Sequence, residues 1–258
     1  MQTSEVKIEI RNLTMAYGSY VVMRGINAQV KRGSVFVIMG NSGSGKSTLL
    51  RHMLGLQRPA QGDVLYDGRS FWGMDDEARG VQLRKYGVLF QSGALWSSMT
   101  LAENVGLPLV EYTDWSACDR EDIARLKLAL VGLSGFEDYY PSEISGGMRK
   151  RAGLARAMAL DPEILFFDEP SAGLDPISSR NLDELILELR DGLGATVVVV
   201  THELASIFTI ADDSIFLDAD SRTMRVQGNP KELLEHSTDT KLRAFLTRGE
   251  LSEQGATS

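Results

Sequence analysis

The chain has 258 residues, 43% of them apolar and 24% charged, and a formal net charge of −8. That length carries one large domain with a substantial core, and the acidic balance disfavours a nucleic-acid partner, which needs a basic face. Cys118 is the single cysteine, which excludes an intrachain disulfide and suits a reducing compartment.

The first ten residues alternate charged and apolar side chains and carry no apolar core of a secretory signal. No apolar run approaches the roughly 18 residues of a spanning helix. The expectation is a soluble chain that reaches any membrane through a partner.

Val6-Lys-Ile-Glu-Ile10 and Ile26-Asn-Ala-Gln-Val30 alternate and predict strands. Residues 35–39 are continuously apolar, the pattern of a strand covered on both faces. A glycine- and serine-rich loop follows, then a helix over about 46–56. Strand, glycine loop, helix opens a parallel α/β sheet. From about 92 to 160 the period becomes helical, with segments at 102–110, 120–131 and 147–160. Buried-strand runs return at 164–167, 196–200 and 214–217, with helices at 178–190 and 204–210 between them. The α/β core is therefore split by a helical insertion. Two short amphipathic pieces follow, at 231–236 and 241–246, and the small polar residues 252–258 are expected to fray.

Gly40-Asn-Ser-Gly-Ser-Gly-Lys-Ser-Thr48 fits the phosphate-loop pattern G-x-x-x-x-G-K-[ST]. Its glycines let the backbone curl so that N–H groups point at phosphate oxygens. The next helix directs its N-terminal dipole at the same anion. Gly40, Asn41, Ser42, Gly43, Ser44, Gly45, Lys46, Ser47 and Thr48 are thus the candidate ATP cradle. Lys46 is to reach the β- and γ-phosphates, and Ser47 is to offer its hydroxyl to Mg²⁺.

Ile164-Leu-Phe-Phe167 ends in Asp168-Glu169. Acids at the C-terminal end of a buried strand sit where open α/β sheets bind ligands. Neighbours on a strand project oppositely, so one acid can face metal and the other water. Asp168 is the Mg²⁺-side candidate and Glu169 the general base. Ile144-Ser-Gly-Gly-Met148 offers a second anion-binding helix start at Ser145, Gly146 and Gly147. Two phosphate sites serve one nucleotide only if they meet across a subunit interface, which implies a dimer. Ser171-Ala-Gly-Leu-Asp175 follows the acids, with Asp175-Pro176 reading as N-cap and first turn.

Over about residues 5–230 these motifs resemble the ABC transporter ATPase family. Gly40–Thr48 looks like Walker A, residues 164–169 like Walker B, Ser145-Gly-Gly147 like the signature, and residues 171–175 like the D-loop. The resemblance implies a P-loop NTPase (RecA-like) core with an antiparallel β segment and an inserted α-helical subdomain. One such domain spans 1–258: core 5–91 and 160–230, helical subdomain 92–159, C-terminal tail 231–258. It also implies roles for three further residues: Gln91 as the Q-loop contact to Mg²⁺ and water, His202 as the switch histidine at the γ-phosphate, and Tyr17 as the adenine platform. Glu169, His202, Gln91 and Lys46 are the catalytic candidates, and Ser47, Gln91 and Asp168 the metal candidates. One departure is Met148, where the family usually has glutamine.

Phe90-Gln-Ser-Gly-Ala-Leu95 and Ser-Gly-Gly-Met-Arg-Lys-Arg151 resemble the Mce-associated, Mla-like group of bacterial lipid-transport ATPases. That resemblance implies an ATPase homodimer on the cytoplasmic face of the inner membrane, driving integral-membrane permease subunits for phospholipid. It further implies a periplasmic Mce-type lipid-binding protein and a small cytoplasmic regulatory subunit, with the tail as a contact. The alternatives are a transporter of another solute and a non-transport ABC ATPase acting on nucleic acid; the latter lacks its usual coiled-coil, zinc or tandem insertions here. The basic run Met148-Arg-Lys-Arg151 is read as the solvated start of a helix, with Arg149 or Arg151 near phosphate. His52 is read as a helix residue and His236 as a surface one.

Overall fold

A computed structural model describes residues 5–248. They fall into two compact units: residues up to Met74 with those from Val200 onward, and Asp75–Val199. The frayed end expected at 252–258 lies outside the described residues.

The first unit begins with β1 (Val6–Tyr17) and β2 (Tyr20–Lys31), each longer than the alternation at 6–10 and 26–30 predicts. They form an antiparallel hairpin that closes at the pair Tyr17–Tyr20, around left-handed Gly18. Register shifts between Ile10 and Ala16 break the strict alternation and hide the strand's full length from a period-two reading. Next come β3 (Val35–Gly40), buried at every position, and α1 (Lys46–Met53). The helix stops before the expected residue 56. Gly55 turns left-handed there, and a side chain on it would collide with the Phe71 ring. Then β4 (Gln61–Tyr66) and β5 (Arg69–Ser70) complete an antiparallel sheet in the order β2-β1-β4-β5. This is the antiparallel segment the family resemblance implies.

The second unit opens with α2 (Asp76–Leu83), capped by Asp75, and β6 (Tyr86–Leu89). Three helices follow: α3 (Leu101–Tyr112), α4 (Ala117–Leu130) and α5 (Gly146–Ala157). Thr100 and Ser116 close capping boxes with Glu103 and Asp119, which fixes the starts of α3 and α4. Strand β7 (Ile164–Asp168) runs parallel to β6, from Tyr86 opposite Ile164 to Leu89 opposite Phe167. Then α6 (Pro176–Leu193) ends at left-handed Gly194, and β8 (Thr196–Val200) is buried throughout. The strand order in this unit is β8-β7-β6.

The chain then re-enters the first unit. After α7 (Leu204–Ile210), β9 (Asp213–Asp218) lies parallel to β3, with Gly40 opposite Leu217, and β10 (Thr223–Gly228) runs antiparallel to β9. Helices α8 (Pro230–His236) and α9 (Thr240–Leu246) end the described chain. Leu242 and Leu246 are buried and the Phe245 ring packs on Phe216 at 5.2 Å. The apolar face of α9 is thus covered within its own unit, and its two cations turn back on that unit as well: Lys241 Nζ reaches Asp218 at 3.1 Å and Asp220 at 2.6 Å, and Arg243 Nη1 donates to the Leu234 carbonyl at 3.3 Å. No helix among the described residues is long and apolar enough to cross a membrane.

Candidate functional site

In the first unit the phosphate loop links β3 to α1. Gly40, Gly43 and Gly45 have φ of 153°, 77° and 85°, values that an L side chain resists. A Cβ on Gly40 would stand 2.6 Å from Ser44 Oγ and 2.5 Å from the Leu217 carbonyl oxygen. The loop's curl therefore needs glycine at that point. Lys46 is buried, and its Nζ donates to the carbonyls of Gly40 at 2.9 Å and Asn41 at 3.1 Å. The ammonium is held inside the loop before any ligand arrives. Ser44 Oγ is fully buried with no hydrogen-bond partner, which is costly unless a ligand supplies one. Helix α1 has no side-chain cap, so its dipole faces the loop unneutralised. A loop that admits only glycine at position 40, an orphaned hydroxyl and a buried ammonium fit a polyphosphate.

Tyr17 stands half-exposed at the tip of the β1–β2 hairpin. The loop meets this hairpin directly: a Cβ on Gly45 would lie 3.1 Å from Val22 Cγ1 and 3.4 Å from Met15 Cε. His202 is exposed one residue beyond buried Thr201. The Thr201 N–H donates to the Ile38 carbonyl on β3, and Thr201 Oγ1 accepts from the Glu203 N–H. His202 is thereby tied to the strand that carries the phosphate loop. His52 is buried, and its ring Nδ1 pairs with the Gln57 carbonyl at 2.7 Å. It is the structural helix residue the sequence suggests.

In the second unit the β6–β7 register sets the ends of both strands side by side. Gln91 follows β6 and the acids follow β7. Phe90, Gln91, Ser92, Asp168, Ala172 and Gly173 line one cavity of about 550 Å³. Two of the expected metal residues, Gln91 and Asp168, are therefore neighbours. Glu169 is nearly buried and has φ of 48°. Its direction is set by this left-handed turn just past the strand, where the sequence reading invokes strand pleat. Such strain in a non-glycine residue is a feature of functional sites.

Ser145 is the N-cap of α5, and its Oγ accepts the Met148 N–H at 3.2 Å. Ser145 and Gly146 are exposed. Asp175 caps α6 as expected: Oδ1 accepts the N–H groups of Ile177 and Ser178, each at 3.0 Å, and Oδ2 accepts from Ser178 Oγ at 2.6 Å. The Ser178 hydroxyl holds the Asp175 carboxyl below the usual carboxylate range.

The basic run after Ser145 departs from the solvated reading at Lys150, which is buried, while Arg149 is exposed and Arg151 partly so. Arg149 Nη1 donates to the Ile144 carbonyl at 2.8 Å, and Arg151 Nη1 to the Val131 carbonyl at 3.2 Å. Lys150 is buried, with Nζ donating to the Gln91 carbonyl. Burial pushes its pKa down, against the opposing pull of Asp168 and Glu169. These three side chains brace the loops around the site. A basic run carries no sequence signal of that inward turn except its helical spacing.

The family described as ABC transporter matches residues 23–172. The chain is 41% identical over 243 residues to the probable ribonucleotide transport ATP-binding protein mkl of Mycobacterium tuberculosis, covering 93% of this chain and 66% of that one. It thus spans just under two thirds of that relative's length. It is 40% identical over 239 residues to the intermembrane phospholipid transport system ATP-binding protein MlaF of Haemophilus influenzae, covering 93% and 89%. Among solved structures it resembles cbiO1 from Clostridium perfringens, part of the ABC transporter complex cbiONQ, with a TM-score of 0.82 and 26% identity over 97% of this chain and 100% of that one. It also resembles the dimeric structure of MJ0796, a bacterial ABC transporter cassette, with a TM-score of 0.78 and 31% identity over 86% and 98%.

Proposed function

The chain belongs to the ABC transporter family, and from that premise we propose that it is the ATP-hydrolysing subunit of a membrane transporter that moves phospholipid. The observation that carries the ATPase reading is Lys46, buried inside a glycine loop beside the orphaned Ser44 hydroxyl. The lipid assignment rests on the 40% identity to the phospholipid-transport relative over 89% of its length. The cassette is one domain in which residues 92–159 act as the lever on a core of 5–91 and 160–230.

Backbone N–H groups of residues 40–48 and Lys46 bind the β- and γ-phosphates, and Tyr17 stacks on adenine. Ser47, Gln91 and Asp168 offer a hydroxyl, an amide oxygen and a carboxylate, the oxygen donors Mg²⁺ prefers. The bound ion would neutralise phosphate charge. Glu169 takes the proton of the attacking water as its oxygen bonds to the γ-phosphorus and the bond to the β-phosphate oxygen breaks. His202 and Gln91 steady the γ-phosphate and the water.

Two copies work head to head. The Ser145-Gly-Gly147 turn of each closes on the γ-phosphate held by the other. ADP lacks that phosphate, so hydrolysis removes the main ligand that favours the closed dimer. A groove of about 580 Å³ lined by Leu83, Tyr86, Phe90, Pro108, Tyr112 and Arg156 is the seat for a permease segment on the cytoplasmic face of the inner membrane. A periplasmic Mce-type lipid carrier and a small cytoplasmic regulator complete the assembly, the latter in contact with the C-terminal tail.

A second reading is transport of ribonucleotide, the solute in the name of the 41%-identical mycobacterial relative. Purifying the chain with its native membrane partners, rebuilding the complex in vesicles and measuring ATP turnover separates the two. Phospholipid should raise turnover and travel with the complex. Stimulation by ribonucleotide and not by lipid would overturn the lipid assignment.

A further inference from the structure

Helix α5 carries three residues at one-turn spacing, Lys150, Gly153 and Arg156, that all meet the loop after β6. Lys150 Nζ donates to the Gln91 carbonyl. Gly153 packs so closely that a Cβ there would lie 3.1 Å from the Gly93 carbonyl oxygen and 2.8 Å from Leu89 Cδ1. Arg156 Nη2 donates to the Gly93 carbonyl at 3.0 Å, and its Nη1 to the Ala94 carbonyl at 2.7 Å. Residues three apart are neighbours on a helix surface, so 150, 153 and 156 form one slanting row. The loop they grip includes left-handed Gly93 and Ala94, with φ of 75° and 51°. The loop closes one turn of its own, the Gly93 N–H donating to the Phe90 carbonyl at 2.8 Å, while the carbonyls of Gln91, Gly93 and Ala94 are taken up by the helix. The helix supplies the donors from two cationic side chains, and bonds of that kind are stronger than neutral ones.

The same helix begins at Ser145, whose N-terminal turn is the Ser-Gly-Gly motif, exposed at Ser145 and Gly146. We propose that Lys150, Gly153 and Arg156 form a latch that fastens the Gln91–Ala94 loop to the signature helix, so that the two move as one rigid piece. Lys150 is then a positioning residue. It fixes the backbone of Gln91 and thereby aims its side chain toward the cavity shared with Asp168. A displacement of the Ser145 turn by the other copy would be transmitted to Gln91 within one helix length, about 18 Å for twelve residues. Gly153 makes this possible by letting helix and loop backbones approach; any side chain there would hold them apart.

The idea rests on the proposed role of Gln91 only for its effect on turnover. Loop protection itself can be read without that role. The measurement is amide hydrogen exchange over residues 90–96 of the full chain, together with steady-state ATP turnover and the affinity for a fluorescent ATP analogue. Lys150→Met should speed exchange in that stretch and cut kcat, each by about tenfold, while analogue affinity stays within about twofold. Lys150→Arg, which keeps a long cationic donor, should restore both. Arg156→Gln should loosen the loop in the same way, and reads the latch even if Lys150→Met fails to fold. Gln91→Ala checks the role of the glutamine separately: it should slow turnover while leaving the latch bonds in place. The latch is overturned if the loop stays protected in both Lys150→Met and Arg156→Gln, or if a variant frees the loop without slowing turnover while Gln91→Ala does slow it. Slower turnover with full loop protection would also contradict it.

Discussion

Ser145 Oγ accepts the backbone N–H of Met148 at 3.2 Å, so the serine caps α5 with a lone pair and keeps its own proton to donate outward. The contact uses Met148 only through its backbone. The Met148 side chain takes no part in the cap. Ser145→Ala should therefore lose stability by about 1 kcal/mol through the cap, and lose ATP-driven dimerisation as well. Met148→Gln should leave melting temperature and turnover close to the parent. Thermal melts and ATPase assays on the two variants check this pair of outcomes.

Lys46 already holds two loop carbonyls, and it is the one side-chain cation within the phosphate loop. Lys46→Ala removes charge-assisted bonds to the phosphates, and ATP affinity should fall by about 100-fold or more. Equilibrium binding of a fluorescent ATP analogue measures it. Parent-like affinity would refute the phosphate-loop assignment.

Gly87 faces the backbone of α5 so closely that a Cβ on it would overlap the Ala157 carbonyl. Leu165 Cδ2 also lies in the way, but the Ala157 carbonyl is backbone, so the strand or the helix must shift. Gly87→Ala should destabilise by about 1–3 kcal/mol. In a chain of this size that lowers the melting temperature by about 2–4 °C for each kcal/mol. Differential scanning calorimetry on the variant reads the loss.

Asp218, at the end of β9, gathers the C-terminal helices. Burial works against its charge, but Ser221 Oγ at 2.8 Å, Lys241 Nζ at 3.1 Å and the Asp220 N–H outweigh that and hold its pKa at about 2. Arg225 joins at 3.3 Å and reaches Asp239 beyond. The folded pKa lies below the ordinary 3.8. The carboxylate therefore stabilises the fold above that value, and the contribution fades as pH falls from 3.8 toward 2. Lys241 and Arg225 are partly exposed and screened, which discounts the gain to about 1 kcal/mol. Asp218→Asn should melt lower than the parent at pH 7, and the gap should close as pH approaches 2. Denaturant melts across that range test the sign.

The elements readable from the sequence are those whose environment is uniform. Residues 35–39, 164–167 and 196–200 are buried on both faces, so their apolar runs announce strands and place the phosphate loop and the acids at strand ends. Asp175-Pro176 and the serine before two glycines announce helix starts by cap chemistry alone. Elements of mixed environment were hidden. Strand β4 begins with Gln61-Gly62-Asp63, largely exposed, and β10 is half-exposed along its length. Strand β6 has four residues, and α2 buries only Gln82. In the site, the burial of Lys150 is not legible locally, because a lysine in a basic run looks solvated and its burial depends on the loop opposite, which no local pattern encodes. The left-handed turn at Glu169 was hidden for the same reason, since glutamate has no preference for that conformation.

Glu169 is the proposed base for a nucleotide clamped between two copies. The most direct test is light scattering with size-exclusion chromatography on Glu169→Gln, with and without ATP, alongside its turnover. Removing the base should slow hydrolysis by about 10²–10⁴-fold while nucleotide binding persists, so the variant should elute as a stable dimer with ATP and as a monomer with ADP. A variant that stays monomeric with ATP and hydrolyses it at the parent rate would contradict both the base and the dimer.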